Sequence, residues 1–333
     1  SILTVFVFSL NNDFTIIINS LNHYATPNLE SDMISPEQHA MLEALAQGLS
    51  TPPRLPVVRT PADYGLAFED VTFKTEDGIE VSAWFMPGAS NHVILSNHFS
   101  PGNKYGFAGH MEGLDFAGGF EVNFIPRYKA LVDAGYSVLA YDLRGHGAST
   151  DGDGGISGVG YYEWQEVLAA LDYVRSRQDT SDADISIYSM CMGANATFNA
   201  MTKHPDAFDG VKSMIAIAPL KGRTTIERNC EQMGVAPDEG VEAFEPIYNR
   251  ITGLTVNDHN ITPNSVNISV PTFFVQVRDD MNSRWQDVQE MFDLCPVADK
   301  KVHYIEDTPW RFKGYQYFSD HPEEMLKWYN DHQ

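Results

Sequence analysis

The stretch best suited to chemistry is Ser189-Met190-Cys191-Met192-Gly193. A strand-like run, 184–189, leads into it and a helix-like run, 194–201, leaves it. This is the small-x-nucleophile-x-small pattern of a strand-to-helix elbow, with cysteine where serine is more usual. A reactive atom at the tip of so sharp a turn needs small flanking residues, because strand and helix nearly touch; Ser189 and Gly193 supply them. The turn also puts the sulfur at a helix N-terminus, where backbone N–H groups and the helix dipole favour a thiolate. A lone cysteine is commonly a buried packing residue, so the elements around the elbow decide its meaning.

The chain has 333 residues and is 43% hydrophobic, enough for one large α/β domain or two smaller ones. Its formal charge of -23 argues against nucleic acid or an anionic membrane surface as a partner, since both need basic patches. Three cysteines, Cys191, Cys230 and Cys295, make no disulfide framework and suggest a reducing, cytoplasmic setting. The run 2–10 is apolar but short, with no Lys or Arg before it, and reads neither as a secretory signal nor as a spanning helix. His98, His110, His146 and His204 show no paired ligand spacing, so neither metal nor cofactor is expected.

Residues 1–35 hold two apolar runs, 2–10 and 14–18. A helix then starts at an N-cap Ser35 with Pro36 in its first turn and Met41, Leu42, Leu45 and Leu49 at helical spacing. The Pro-rich stretch 51–62 reads as a linker on the surface. Strands at 67–74 and 79–85 flank the tight turn Glu76-Asp77-Gly78. Short apolar runs at 92–97, 136–141, 211–218, 271–277 and 301–305 read as buried strands, and helices are expected at 124–135, 161–178 and across 285–292. Residues 221–265 break this rhythm and read as an insertion. His321-Pro322-Glu323-Glu324 opens the last helix after a long loop. Buried strands alternating with helices predict a mostly parallel sheet covered on both faces, with the first hairpin as an antiparallel edge.

Together these features resemble the α/β-hydrolase fold, over roughly residues 65–333. The most specific piece is residues 135–149, Gly-Tyr-Ser-Val-Leu-Ala-Tyr-Asp-Leu-Arg-Gly-His-Gly-Ala-Ser, with the elbow at the expected distance downstream. The resemblance divides the chain into an arm (1–60), a first core segment (61–222), a lid insertion (223–265) and a second core segment (266–333). In this fold an acid and then a histidine follow the nucleophile. The acid is expected at Asp280, past the strand that starts Pro271-Thr272, with Asp279 as runner-up. The histidine is expected at His321, later than the usual few residues after the last strand; His303 lies inside that strand and His332 near the terminus. The oxyanion hole would combine the Met192 N–H with that of Phe99, or of Ser100 beside it. His98 would shape that turn, and His146 would be structural.

A cysteine nucleophile forms a thioester, so such an enzyme can accept an acyl chain from a carrier thiol and pass it to water or to a hydroxyl. Dienelactone hydrolases use the related G-x-C-x-G pattern. Residues 120–126 (Phe-Glu-Val-Asn-Phe-Ile-Pro), 155–160 (Gly-Ile-Ser-Gly-Val-Gly) and 317–323 (Tyr-Phe-Ser-Asp-His-Pro-Glu) are similar to fungal polyketide transferases and thiohydrolases. That resemblance implies a polyketide acyl thioester on an acyl carrier protein, offloaded through Cys191 as an ester, a macrolactone or a free acid. Phe244 and Tyr248 of the insertion would line the acyl pocket, or would simply pack the insertion onto the core. The alternatives are a small-molecule esterase or lactonase of dienelactone type, and an inactive hydrolase-fold binding protein.

Overall fold

The computed structural model describes residues 34–333; the apolar runs at 2–10 and 14–18 lie outside them. The strands are β1 (Glu69–Lys74), β2 (Glu80–Met86), β3 (His92–Asn97), β4 (Gly106–Phe107), β5 (Val122–Asn123), β6 (Ser137–Tyr141), β7 (Asp184–Met190), β8 (Val211–Ile217), β9 (Thr272–Val277) and β10 (Lys300–Ile305). Eight of them form one sheet in the order β1-β2-β6-β3-β7-β8-β9-β10, while β4 and β5 make a separate pair. The hairpin β1–β2 is antiparallel and meets β6 antiparallel; from β6 to β10 every pairing is parallel. This is the α/β-hydrolase fold.

The helices are α1 (Pro36–Ser50), α2 (Ile125–Asp133), α3 (Trp164–Ser176), α4 (Met192–Lys203), α5 (Gly222–Gln232), α6 (Pro237–Thr252), α7 (Trp285–Leu294), α8 (Arg311–Asp320) and α9 (Glu323–Asp331). The parallel strands lack two-residue alternation because both faces are buried. Tyr188, Met190, Ile215 and Ile217 pack with α2, α8 and α9, while Ile185, Ile187, Met214 and Ala216 pack with α3, α4 and α7.

A third cluster stands apart from the sheet. Leu42, Leu45 and Ala46 of α1 pack on Ile226 and Cys230 of α5 and on Phe244, Ile247 and Tyr248 of α6. The N-terminal helix, set by a Ser35–Gln38 capping box, therefore joins the insertion in one helical layer. Among the described residues its apolar stripe packs on these helices and not on the sheet.

One expected element is corrected. The chain between β10 and His321 is not a long loop: residues 311–320 form α8. Tyr315 and Phe318 bury on the sheet, which gives this aromatic-rich segment a helical face. The helix expected at 161–178 begins only at Trp164, because Glu163 is occupied in binding the loop before it.

Candidate active site

The elbow forms as its small residues require. Cys191 sits between β7 and α4 with φ 51° and ψ −113°, in the left-handed region that non-glycine residues avoid. Its N–H donates to Ile217 O at 2.8 Å and its carbonyl accepts from Asn195 N at 2.9 Å, which hold the turn. A Cβ on Gly193 would lie 2.5 Å from Asn97 Cβ and 2.9 Å from His98 O. The Ser189 hydroxyl, wedged between strand and helix, accepts from Asn97 Nδ2 at 2.7 Å and meets Thr197 Oγ1 at 2.9 Å.

Cys191 is 3% exposed and lines a cavity of about 750 Å³, partly open to solvent. The walls are chiefly apolar: Leu45 and Leu49 of α1, Val159, Leu220 and Phe312. A second chamber of about 400 Å³ shares Leu49, Val159, Leu220 and Thr225 with the first, and Phe244 and Tyr248 line it. These two residues thus both pack the helical layer and face a chamber beside the elbow. The Tyr248 hydroxyl meets His259 Nε2 at 2.8 Å there. Val159, a β-branched residue at φ 50°, is a strained wall shared by both chambers. The buried Glu163 carboxylate clamps its loop, accepting from Gly158 N at 2.8 Å and Gly160 N at 2.7 Å.

The N–H groups of Met192 and Phe99 have no protein acceptor among the described residues, as an oxyanion hole requires. Phe99 is fully buried, and its ring stacks on that of Tyr315 with centroids 4.1 Å apart. His98 Nε2 accepts from Leu143 N at 2.9 Å, so Nδ1 carries the proton and donates to Phe99 O at 2.8 Å. Burial pushes the His98 pKa down to about 3 and keeps the ring neutral. His146 donates from Nδ1 to Arg144 O at 2.8 Å, leaving Nε2 to accept from the Ser100 hydroxyl at 3.2 Å.

Asp280 is buried past the end of β9, while Asp279 is exposed. The Asp280 carboxylate accepts from Ser283 Oγ at 2.7 Å, Asn282 N at 2.9 Å, Gln276 Nε2 at 3.1 Å and the Arg311 guanidinium. The structure does not bring His321 to it. His321 is an exposed residue at the C-terminal end of α8, its ring 5.1 Å from that of Tyr317. Arg311 opens the same helix beside Asp280, and ten residues of α-helix rise about 15 Å. The helix carries His321 away from the site.

Arg311 occupies the place beside the acid that the fold would give to an imidazole. Its guanidinium also donates to Ser283 Oγ at 2.9 Å, Tyr315 Oη at 2.5 Å and the Ala218 carbonyl. Burial alone would lower its pKa, but the Asp280 charge outweighs that and, with the nearby Tyr315 and Cys191, holds it raised. Tyr315 lines the same cavity as Cys191; burial raises its pKa well above the usual phenol value. Among the described residues no histidine lines the Cys191 cavity. The sequence did carry a signal for this arrangement: Arg311 lies within a few residues of the last strand, where the fold's histidine usually falls. Tyr315 carried none, because only helical spacing from Arg311 brings both over the sulfur.

Among the described residues no group of three or more His, Cys, Asp or Glu could hold a metal, and no helix is long and apolar enough to cross a membrane.

Fold and site together define an α/β-hydrolase scaffold with cysteine at the elbow tip. Comparison with known proteins agrees on the scaffold. The family described as serine aminopeptidase, S33, matches residues 124–234. A search of curated protein sequences finds no match. An esterase of Pyrococcus furiosus superposes with TM-score 0.62 at 19% identity, over 85% of this chain and 96% of its own. Est1E of Butyrivibrio proteoclasticus, solved with ferulic acid, gives 0.53 at 15% identity, over 78% and 97%. The α/β hydrolase GrgF of a Penicillium species gives 0.51 at 19% identity, over 79% and 98%. At these identities the likeness is one of fold.

Proposed function

We propose that the protein is a cysteine-dependent esterase-type enzyme that takes an acyl group from a small or medium-sized apolar substrate onto Cys191. The observation that carries this is the strained Cys191 lining a largely apolar cavity, followed by Met192, whose N–H, like that of Phe99, has no acceptor among the described residues. A thiolate attacks without a base at the moment of bond formation. Here the anion would face the Arg311 guanidinium, the Tyr315 hydroxyl and the N-terminus of α4. The developing oxyanion is directed to the Met192 and Phe99 N–H groups. Asp280 acts through Arg311, holding the guanidinium in place.

Hydrolase relatives in the family and fold comparisons support ester chemistry. A polyketide thioester borne by an acyl carrier protein belongs to the same class of acyl donor, and the chiefly apolar cavity wall suits such a chain. Charge does not: Arg223, Arg228, Arg278 and Arg284 each pair with a carboxylate of this chain. They leave no free basic patch there to attract an acidic carrier.

Intact-protein mass after brief incubation with a p-nitrophenyl butanoate or an acyl N-acetylcysteamine thioester tests the proposal. An adduct mapped to Cys191, and missing in Cys191→Ala, is the expected result. No adduct and no turnover, with Cys191 still alkylated by iodoacetamide, would overturn it. Burial pushes the Cys230 thiol up to about 11 and raises that of Cys295, so background labelling stays low.

A further inference from the structure

We propose that the Arg311–Asp280 pair restricts this site to acyl donors whose leaving group departs as an anion: thioesters, aryl esters and enol esters or lactones, but not esters of simple alcohols. This rests on the acyl-Cys191 reading and names its substrate class.

In the first step the thiolate pair forms the S–C bond, and the carbonyl π pair moves onto oxygen. In the second, the carbonyl re-forms and the bond to the leaving group breaks, with the pair going to that group. In a serine or cysteine hydrolase with a histidine, the imidazolium supplies a proton at this point. Here the group beside the acid is a guanidinium, which does not release a proton in proteins. The phenol of Tyr315 is buried and made less acidic by its surroundings. No histidine among the described residues lines the Cys191 cavity: His98 Nε2 accepts from Leu143 N, His146 Nε2 accepts from Ser100, and His259, in the second chamber, meets the Tyr248 hydroxyl through Nε2. An alkoxide is about as basic as hydroxide, far more so than a thiolate or phenolate, so it leaves poorly unprotonated. Thiolates and phenolates, at about 8.5 and 10, leave as they are and take a proton from solvent.

The same proton count governs the second half of the reaction. Water attacking acyl-Cys191 must lose a proton, and among the described residues no histidine lines the cavity to take it. A thiol acceptor arrives already partly ionised, adds to the carbonyl and expels the Cys191 thiolate, giving a new thioester. Water therefore leaves an acyl-enzyme that lingers, and thiols clear it.

The wild-type protein tests this with one acyl group, butanoyl, on p-nitrophenyl, phenyl, N-acetylcysteamine and ethyl carriers. Because general acid catalysis contributes about 10²–10⁴-fold, kcat/KM for the ethyl ester should fall about 10³-fold or more below the phenyl ester, with the thioester near the aryl esters. An ethyl ester within tenfold of the phenyl ester would overturn the restriction; an acyl-Cys191 adduct in the same experiment would leave the broader reading standing. Absence of adduct from every carrier would overturn both.

Discussion

The Arg311 guanidinium donates to the buried Asp280 carboxylate and, through Nε, to the Tyr315 hydroxyl at 2.5 Å. A permanent cation thus stands between the fold's acid and the Cys191 sulfur, where a titrating imidazole is the usual occupant. A fixed charge can stabilise an anion but cannot shuttle a proton, and most of the site's expected behaviour follows from that difference.

Serine should not replace the cysteine. A hydroxyl needs a base at the moment of attack, and a thiolate does not. Cys191→Ser is expected to lose aryl-ester turnover as completely as Cys191→Ala, about 10³-fold or more. Steady-state kinetics on p-nitrophenyl butanoate checks this; a serine variant within tenfold of wild type would mean that some group does act as base.

Breaking the Arg311–Asp280 pair should cost more than activity. Both side chains are nearly unexposed, and Arg311→Met leaves a carboxylate buried without its cation. Removal of one partner from such a pair costs about 3–5 kcal/mol, read as a lower urea midpoint. The double variant Arg311→Met with Asp280→Leu should recover part of that loss, because no unpaired charge remains. Arg311→His, which puts an imidazole beside Asp280, should raise ethyl-ester turnover relative to wild type.

Gly193→Ala places a methyl group against Asn97 Cβ and the His98 carbonyl. The Gly193 N–H donates to that carbonyl at 3.2 Å, so the two backbones cannot separate without losing the bond. Overpacking of about 1–3 kcal/mol is expected. Iodoacetamide labelling of Cys191 should slow, or change its pH dependence, as the elbow opens.

Phe244 joins the helical layer to the second chamber. Phe244→Ala should destabilise by about 3 kcal/mol, seen in thermal unfolding. The wider chamber should shift the preferred acyl length upward, read from kcat/KM across a two- to twelve-carbon ester series. A profile unchanged in shape would show that acyl groups do not enter that chamber.

Acid should weaken the fold before the carboxylates titrate. Burial lowers the His92 pKa to about 4 and the His98 pKa to about 3, against about 6.5 in an unfolded chain. The unfolded chain therefore binds these protons more tightly. The stability they contribute is complete above pH 6.5 and is lost as pH falls toward 4 and 3, by up to about 1.4 kcal/mol per pH unit for each ring. Urea midpoints from pH 7 to 4.5 should show this slope, and His92→Gln should reduce it by one proton.

The features legible from residue order are local. The elbow, the short buried strands, the Ser35 cap and the Asp280 position rest on residues within a few places of one another. Their signals are steric, periodic or hydrogen-bonded over short range. The helical segment after β8 was legible as a break in rhythm, but its pairing with α1 was not, because each helix shows only an apolar stripe and not the stripe that covers it. Long-range packing sets what faces the sulfur. An aromatic-rich segment after β10 could be loop or helix, and its burial against the sheet made it α8. That helix holds Arg311 and Tyr315 over Cys191 and turns His321 out to solvent. Residue type proposed a histidine; helical rise, at about 1.5 Å per residue, left it a helix length away.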